Sequence, residues 1–174
     1  LTKPLGVGII TTAFKSDQAE LEHAAAASDW MARLNKTASE VMQQGPFHAA
    51  TDITGFALLG HAQEMAEKSG VCLRFHFDQL PFHPGAQRYA DEMLFPGGAN
   101  RNQESVGPHV RFDPAIEWEM QLLLFTPETS GGLLIALPSD AAERFLERYR
   151  ARGQQAWVVG EVVAGEGVEV RAGA

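Results

Sequence analysis

One cysteine in 174 residues, Cys72, excludes an intramolecular disulfide and any cysteine-built zinc site. It lies in the alternating stretch 71–77 and reads as a buried structural thiol, a usage that suits a reducing cytoplasm. No apolar run approaches the roughly 20 residues that span a bilayer, and no basic-then-apolar leader opens the chain, so a membrane is not an expected partner. Cations are scarce: 14 Lys and Arg stand against 22 Asp and Glu, a net charge of −8. Most are scattered. Arg144, Arg148, Arg150 and Arg152 do cluster, but Glu143 and Glu147 interrupt them, as on a solvated helix face. Nucleic acid is therefore not expected either. The phosphate loop of the Walker type, the GxSxG elbow and the paired-histidine zinc motif are all missing. The six histidines (His23, His48, His61, His76, His83, His109) are dispersed, each read by default as hydrogen-bonded or on the surface, and none is assigned a metal; His61 sits one helical turn or more beyond the Thr51–Gly55 turn and could reach a neighbour. No Ser, Cys or Lys has an identifiable activating partner, so no catalytic residue is expected within this stretch.

What is present has the size and composition of one globular domain, 1–174, with 45% apolar and 21% charged residues. Residues 5–14 are rich in β-branched side chains and read as a strand. Residues 17–44 read as one helix, with Trp30, Met31, Leu34, Ala38, Val41 and Met42 on a stripe of 3.6-residue period. Residues 47–51 read as a short strand. Residues 55–68 form a helix pattern whose Phe56, Leu59, Ala62, Met65 and Ala66 face inward. A strand at 71–77, short helices at 85–94 and 113–124, and a doubly buried strand at 132–137 follow. Asp140 with Glu143 resembles a capping box opening a helix to Arg150, and 155–163 with 167–171 reads as a strand pair. The expected fold class is α+β: a layered mixed or antiparallel sheet flanked by helices.

Two turns carry chemistry. Thr51-Asp52-Ile53-Thr54-Gly55 places a carboxylate and two hydroxyls between a strand and a helix. Spacing alone favours Asp52 as an N-cap, and the alternative is a cation ligand that in turn holds a phosphate. Thr129-Ser130-Gly131-Gly132 could form a backbone nest for an anion, or a tight turn feeding a buried strand.

Motifs in fixed order carry a resemblance: Leu1-Thr2-Lys3-Pro4-Leu5-Gly6, Leu34-Asn35-Lys36, Thr51-Asp52-Ile53-Thr54-Gly55-Phe56, Leu58-Leu59-Gly60-His61, Pro84-Gly85-Ala86, Asn100-Arg101, Thr129-Ser130-Gly131-Gly132-Leu133-Leu134 and Val159-Gly160-Glu161-Val162. Together they resemble the C-terminal domain of selenophosphate synthetases, relatives of aminoimidazole ribonucleotide synthetase. The resemblance implies a domain distantly like a ferredoxin fold. It implies a longer protein, dimeric and cytoplasmic, whose N-terminal ATP-binding domain is absent from this chain and carries the reactive Cys or selenocysteine and the catalytic Lys. It implies a reaction of ATP, selenide and water that gives selenophosphate, AMP and phosphate with Mg²⁺. Asp52 would be the metal ligand, with Thr51, Thr54, Thr129 and Ser130 near phosphate. The departures are Val7 in a Gly-Thr-Gly pattern, Ala57 at a glycine position inside a helix, and Thr126 and Glu128 in an Asp-Pro-Gln-Thr-Ser-Gly-Gly pattern. Two other readings stay open: a kinase of the same superfamily with another substrate, and a non-catalytic assembly module on the same fold.

Overall fold

The computed structural model describes residues 1–173. Among them lie eight helices, α1 (Val7–Lys15), α2 (Leu21–Ala32), α3 (Lys36–Met42), α4 (Ala57–Ser69), α5 (Ala86–Asp91), α6 (Gly97–Val106), α7 (Trp118–Leu123) and α8 (Ser139–Ala151), and six strands. The strands are β1 (Ala49–Asp52), β2 (Cys72–His76), β3 (Val110–Phe112), β4 (Leu133–Ala136), β5 (Gly160–Val163) and β6 (Gly167–Arg171). β1 and β4 form an antiparallel ribbon in which Asp52 stands opposite Leu133. The other four form a mixed sheet of order β3-β6-β2-β5, with β3, β6 and β2 parallel and β5 antiparallel. α4 packs on β2 and β6, and the fold class is α+β as expected. Among the described residues, no helix is long and apolar enough to cross a membrane.

Residues 5–14 correct the sequence reading, because they form helix α1 rather than a strand. Ile9, Ile10 and Ala13 are wholly buried, each isoleucine contributing about 1.5–3 kcal/mol, so burial outweighs β-propensity. Gly6, at φ 108°, turns the chain into this helix, and the Glu128 carboxylate accepts the N–H groups of Gly6 and Val7 at 2.6 and 3.0 Å. The continuous helix expected at 17–44 is two, α2 and α3, separated at an extended Arg33. Leu34, assigned inward by the stripe, is 80% exposed there. Phe56, also assigned inward, is 63% exposed, whereas Leu58 and Leu59 are buried. The capping box at Asp140 does not form: Pro138 is the N-cap of α8 without a side-chain bond, and Asp140 pairs with Arg144 at 2.9 Å. β4 is mostly half-buried rather than covered on both faces, because its ribbon has only two strands.

The expected strand pair at the end of the chain is split. β5 and β6 both exist, but β2 lies between them, paired antiparallel with β5 and parallel with β6. The 164–166 link crosses the start of β2, where Cys72 stands opposite both Val163 and Gly167. Gly167 is required there: its φ is 79°, and a Cβ would lie 2.6 Å from the His109 carbonyl oxygen. Cys72 is buried as read, with the Arg111 guanidinium 3.6 Å from its sulfur. The main core joins Ile9, Ile10, Ile53, Leu58, Leu59, Phe125, Val168 and Val170, and a smaller one joins Ala38 and Val41 of α3 to Phe145 and Tyr149 of α8.

Candidate functional site

β1 ends at Asp52, and the backbone beyond it is pinned at three successive residues. The Ile53 N–H donates to the Gly132 carbonyl at 2.9 Å, the Thr54 carbonyl accepts the Glu128 N–H at 2.9 Å, and the Gly55 carbonyl accepts the Asn102 amide at 3.0 Å. Asn102 is itself buried and also donates to the Phe125 carbonyl at 3.0 Å. The pinned turn leaves the Asp52 side chain exposed, and that carboxylate has no hydrogen-bond or ion-pair partner among the described residues. The capping role that spacing favoured for Asp52 is not found. α4 starts five residues later, its N-cap is Phe56, and no side chain caps it.

The hydroxyls of this turn are already engaged. Thr51 donates to the Asp52 carbonyl at 3.2 Å, and Thr54 Oγ1 lies 3.0 Å from His61 Nε2, so His61 does reach a neighbour. Burial lowers the pKa of His61, and the charges of Asp52 and Glu64 oppose that shift. Ala57, the departure read as lying harmlessly inside a helix, is the first residue of α4 and has φ 63°, the left-handed region that favours glycine.

The second turn, 126–132, meets the first because β1 and β4 pair. Thr129 and Ser130 are exposed, and Ser130 also sits in the left-handed region, at φ 52°. A Cβ on Gly131 would lie 2.1 Å from the Ile53 carbonyl oxygen, so this approach demands glycine. Thr126 is buried, its hydroxyl 3.5 Å from the Leu122 carbonyl, and does not reach the turn's exposed side. The acidic group of this loop is Glu128, fully enclosed. Burial pushes its carboxyl up to about 8, while the N–H groups of Gly6 and Val7 pull it back. Lys3 is 5% exposed and donates from Nζ to the carbonyls of Ser130 (2.7 Å) and Arg33 (2.6 Å). Asn35 donates to the Gly131 carbonyl at 2.9 Å.

The structure thus gathers Thr51, Asp52, Thr54, Thr129 and Ser130 at one end of the ribbon. Sequence reasoning assigned no role to Glu128, Lys3, Asn35 or Asn102, although the motifs contained Lys3 and Asn35. Their roles are to backbone groups distant in sequence, which spacing cannot report. A divalent cation would find one hard oxygen donor in Asp52, and an exposed carboxylate with no partner fits that chemistry. One group of three close acidic or imidazole ligands occurs among the described residues, Glu20, Glu22 and His23. It lies at the start of α2, where Glu20 is paired with Arg88 and His23 bonds the Tyr89 hydroxyl.

The chain matches the family described as AIR synthase related protein, C-terminal domain, over residues 1–173. It is 44% identical over 164 residues to the selenide, water dikinase of Pelobacter propionicus, covering 94% of this chain and 47% of that relative. The corresponding protein of Caldanaerobacter subterraneus is 44% identical over 163 residues, with 93% and 47% covered. The chain therefore spans about half the length of the curated relatives it matches. Among solved structures, thiamine-monophosphate kinase from Stenotrophomonas maltophilia is similar at TM-score 0.59 and 15% identity, with 99% of this chain and 49% of that one covered. HypE of Escherichia coli, a hydrogenase maturation protein, is similar at TM-score 0.61 and 17% identity, with 97% and 43% covered. At such identities the likeness is one of fold. The family match, spanning all but the last residue, establishes that the chain belongs to the AIR synthase related family as its C-terminal domain.

Proposed function

We propose that this chain is the C-terminal part of an ATP-dependent selenide kinase that converts selenide, ATP and water to selenophosphate, AMP and phosphate, and that Asp52 is its metal ligand. One observation carries the reading: an exposed carboxylate without a partner stands beside the 128–132 turn, in a chain 44% identical to proteins named selenide, water dikinase. Phosphoryl transfer is mostly positioning and charge neutralisation. When bound, Mg²⁺ supplies that neutralisation to the phosphate oxygens. Asp52 would hold the ion from the rigid end of β1, and the exposed hydroxyls of Thr129 and Ser130 would face the phosphate. Thr51 and Thr54 would support the turn, since their hydroxyls are committed to Asp52 and His61.

One carboxylate does not complete a magnesium site. The remaining ligands, the ATP pocket and the nucleophile would come from an N-terminal domain of the full-length protein, which we take to be a cytoplasmic homodimer. A site divided between two domains couples nucleotide binding to their closure. Replacing Asp52 with Ala in the full-length protein should lower AMP release from ATP and selenide by about 100-fold or more, the range seen when one electrostatic catalytic contact is removed. Added Mg²⁺ should not restore it. Turnover at the wild-type rate would refute the metal role.

A further inference from the structure

Lys3 buries an ammonium group that the described residues do not neutralise. Both of its acceptors are backbone carbonyls, and no carboxylate of the described residues lies within ion-pair distance, in a chain with 22 acidic residues. Taking an ammonium out of water costs several kcal/mol unless a counter-charge is near. Arg33, close enough to oppose protonation of Lys3, also has no acidic partner among the described residues and rests over the Trp30 ring at 3.9 Å. The Lys3 ammonium makes a positive spot beneath the 129–131 turn, and the exposed Arg33 guanidinium adds to it from nearby.

The backbone explains the other half. A trans peptide sets its carbonyl and the following N–H on opposite sides. With the Ser130 carbonyl drawn to Lys3, the Gly131 N–H points away from the ammonium, and that N–H has no acceptor among the described residues. A left-handed residue such as Ser130 is the geometry by which consecutive N–H groups converge on an anion. The exposed hydroxyls of Thr129 and Ser130 add donors. Asn35 fixes the next carbonyl, that of Gly131.

We propose that Lys3 and Asn35 are positioning residues for a tetrahedral oxyanion of the phosphate class held at the Thr129–Gly131 turn, with Lys3 and Arg33 supplying the positive field behind it. Three stretches far apart in sequence, 1–3, 33–35 and 129–132, thereby act as one device. The inference rests on the reading that phosphate is handled at this end of the β1–β4 ribbon.

Inorganic phosphate titrated into the full-length protein by calorimetry tests it, with melting temperature measured alongside. Lys3→Met should weaken phosphate binding about tenfold or more, the scale of one lost charge-assisted contact. Its melting temperature should change little, because removal of an uncompensated buried cation offsets the two carbonyls left without a donor. Asn35→Ala should weaken binding less. A purely structural role would instead lower the melting temperature and leave phosphate affinity unchanged. Equal affinity in wild type and a folded Lys3→Met overturns the proposal, as does absence of saturable binding to the wild type. Should Lys3→Met not fold, Arg33→Gln at an exposed position decides, and unchanged affinity there overturns it. Asp52→Ala separates the two readings. Wild-type turnover in that variant with phosphate binding lost only in Lys3→Met removes the metal role and leaves this inference standing.

Discussion

At the scale of single residues, both turns of the site contain a non-glycine residue in left-handed backbone, Ala57 and Ser130. Such a residue is strained by about 1–2 kcal/mol relative to glycine. Ala57→Gly would release that strain but lose a fully buried methyl worth about 0.8 kcal/mol. The expected outcome is a melting temperature within a few degrees of wild type, whereas Ala57→Val, branched at Cβ, should destabilise by several kcal/mol. Thermal denaturation of both variants checks this, and an Ala57→Val variant as stable as wild type would remove the strain argument. The chemistry of Asp52 is legible in sequence, since a carboxylate between a strand and a helix stands out. Its freedom from capping is not. That depends on where α4 begins, and the start is set by the Asn102 bond to the Gly55 carbonyl and by the backbone of Ala57.

Elements tell a similar story. The amphipathic ones, α4 and α8, lie close to where periodicity puts them, because one face meets the core and the other meets water. α1 reads as a strand because most of its residues are buried, which erases the helical period and leaves only β-branched composition. α6 leaves little trace in the sequence because it buries only Ala99 and Asn102. The broken helix at 33–35 is illegible for a different reason: Lys3 and Asn35 fix the break through the distant turn they bind. α2 buries a single residue, Ala27, whereas α4 buries five, so local stability should differ sharply between them. Native-state hydrogen exchange should show α2 amides opening with a much smaller free energy than those of α4. Equal protection would mean that α2 is held by more than its edge contacts with Tyr89, His83 and Trp157.

For the whole molecule, two buried titratable groups oppose each other in pH. His83 is buried with neither ring nitrogen partnered, and burial holds its pKa at about 4 against an ordinary 6.5. The unfolded chain therefore takes up that proton first as pH falls, and stability present above 6.5 declines toward 4 by about 3 kcal/mol. Glu128, raised from 4.5 to about 8, acts in reverse: the unfolded chain loses that proton first, so stability present below 4.5 is lost as pH rises through 8. The two slopes cancel where the windows overlap, so melting temperature should stay level between about pH 4.5 and 6.5 and fall from there to 8; Glu128→Gln should abolish that fall, and His83→Leu should bring its onset down toward 4.5. A steady rise from pH 5 to 9 would contradict the Glu128 assignment, and a His83→Leu variant with the wild-type profile would contradict that of His83. The split of β5 from β6 reaches further, into the order of events during synthesis. β2 is complete by residue 76, yet both strands that flank it come from residues 160–171. On a ribosome adding about 5–20 residues per second, that strand waits several seconds for its partners. The sheet has long-range pairings at its centre, a topology that folds slowly. Until residues 160–171 emerge, the apolar face of Leu73 and Phe75 has no sheet to join, and a nascent chain stalled before residue 160 offers that face to chaperones instead.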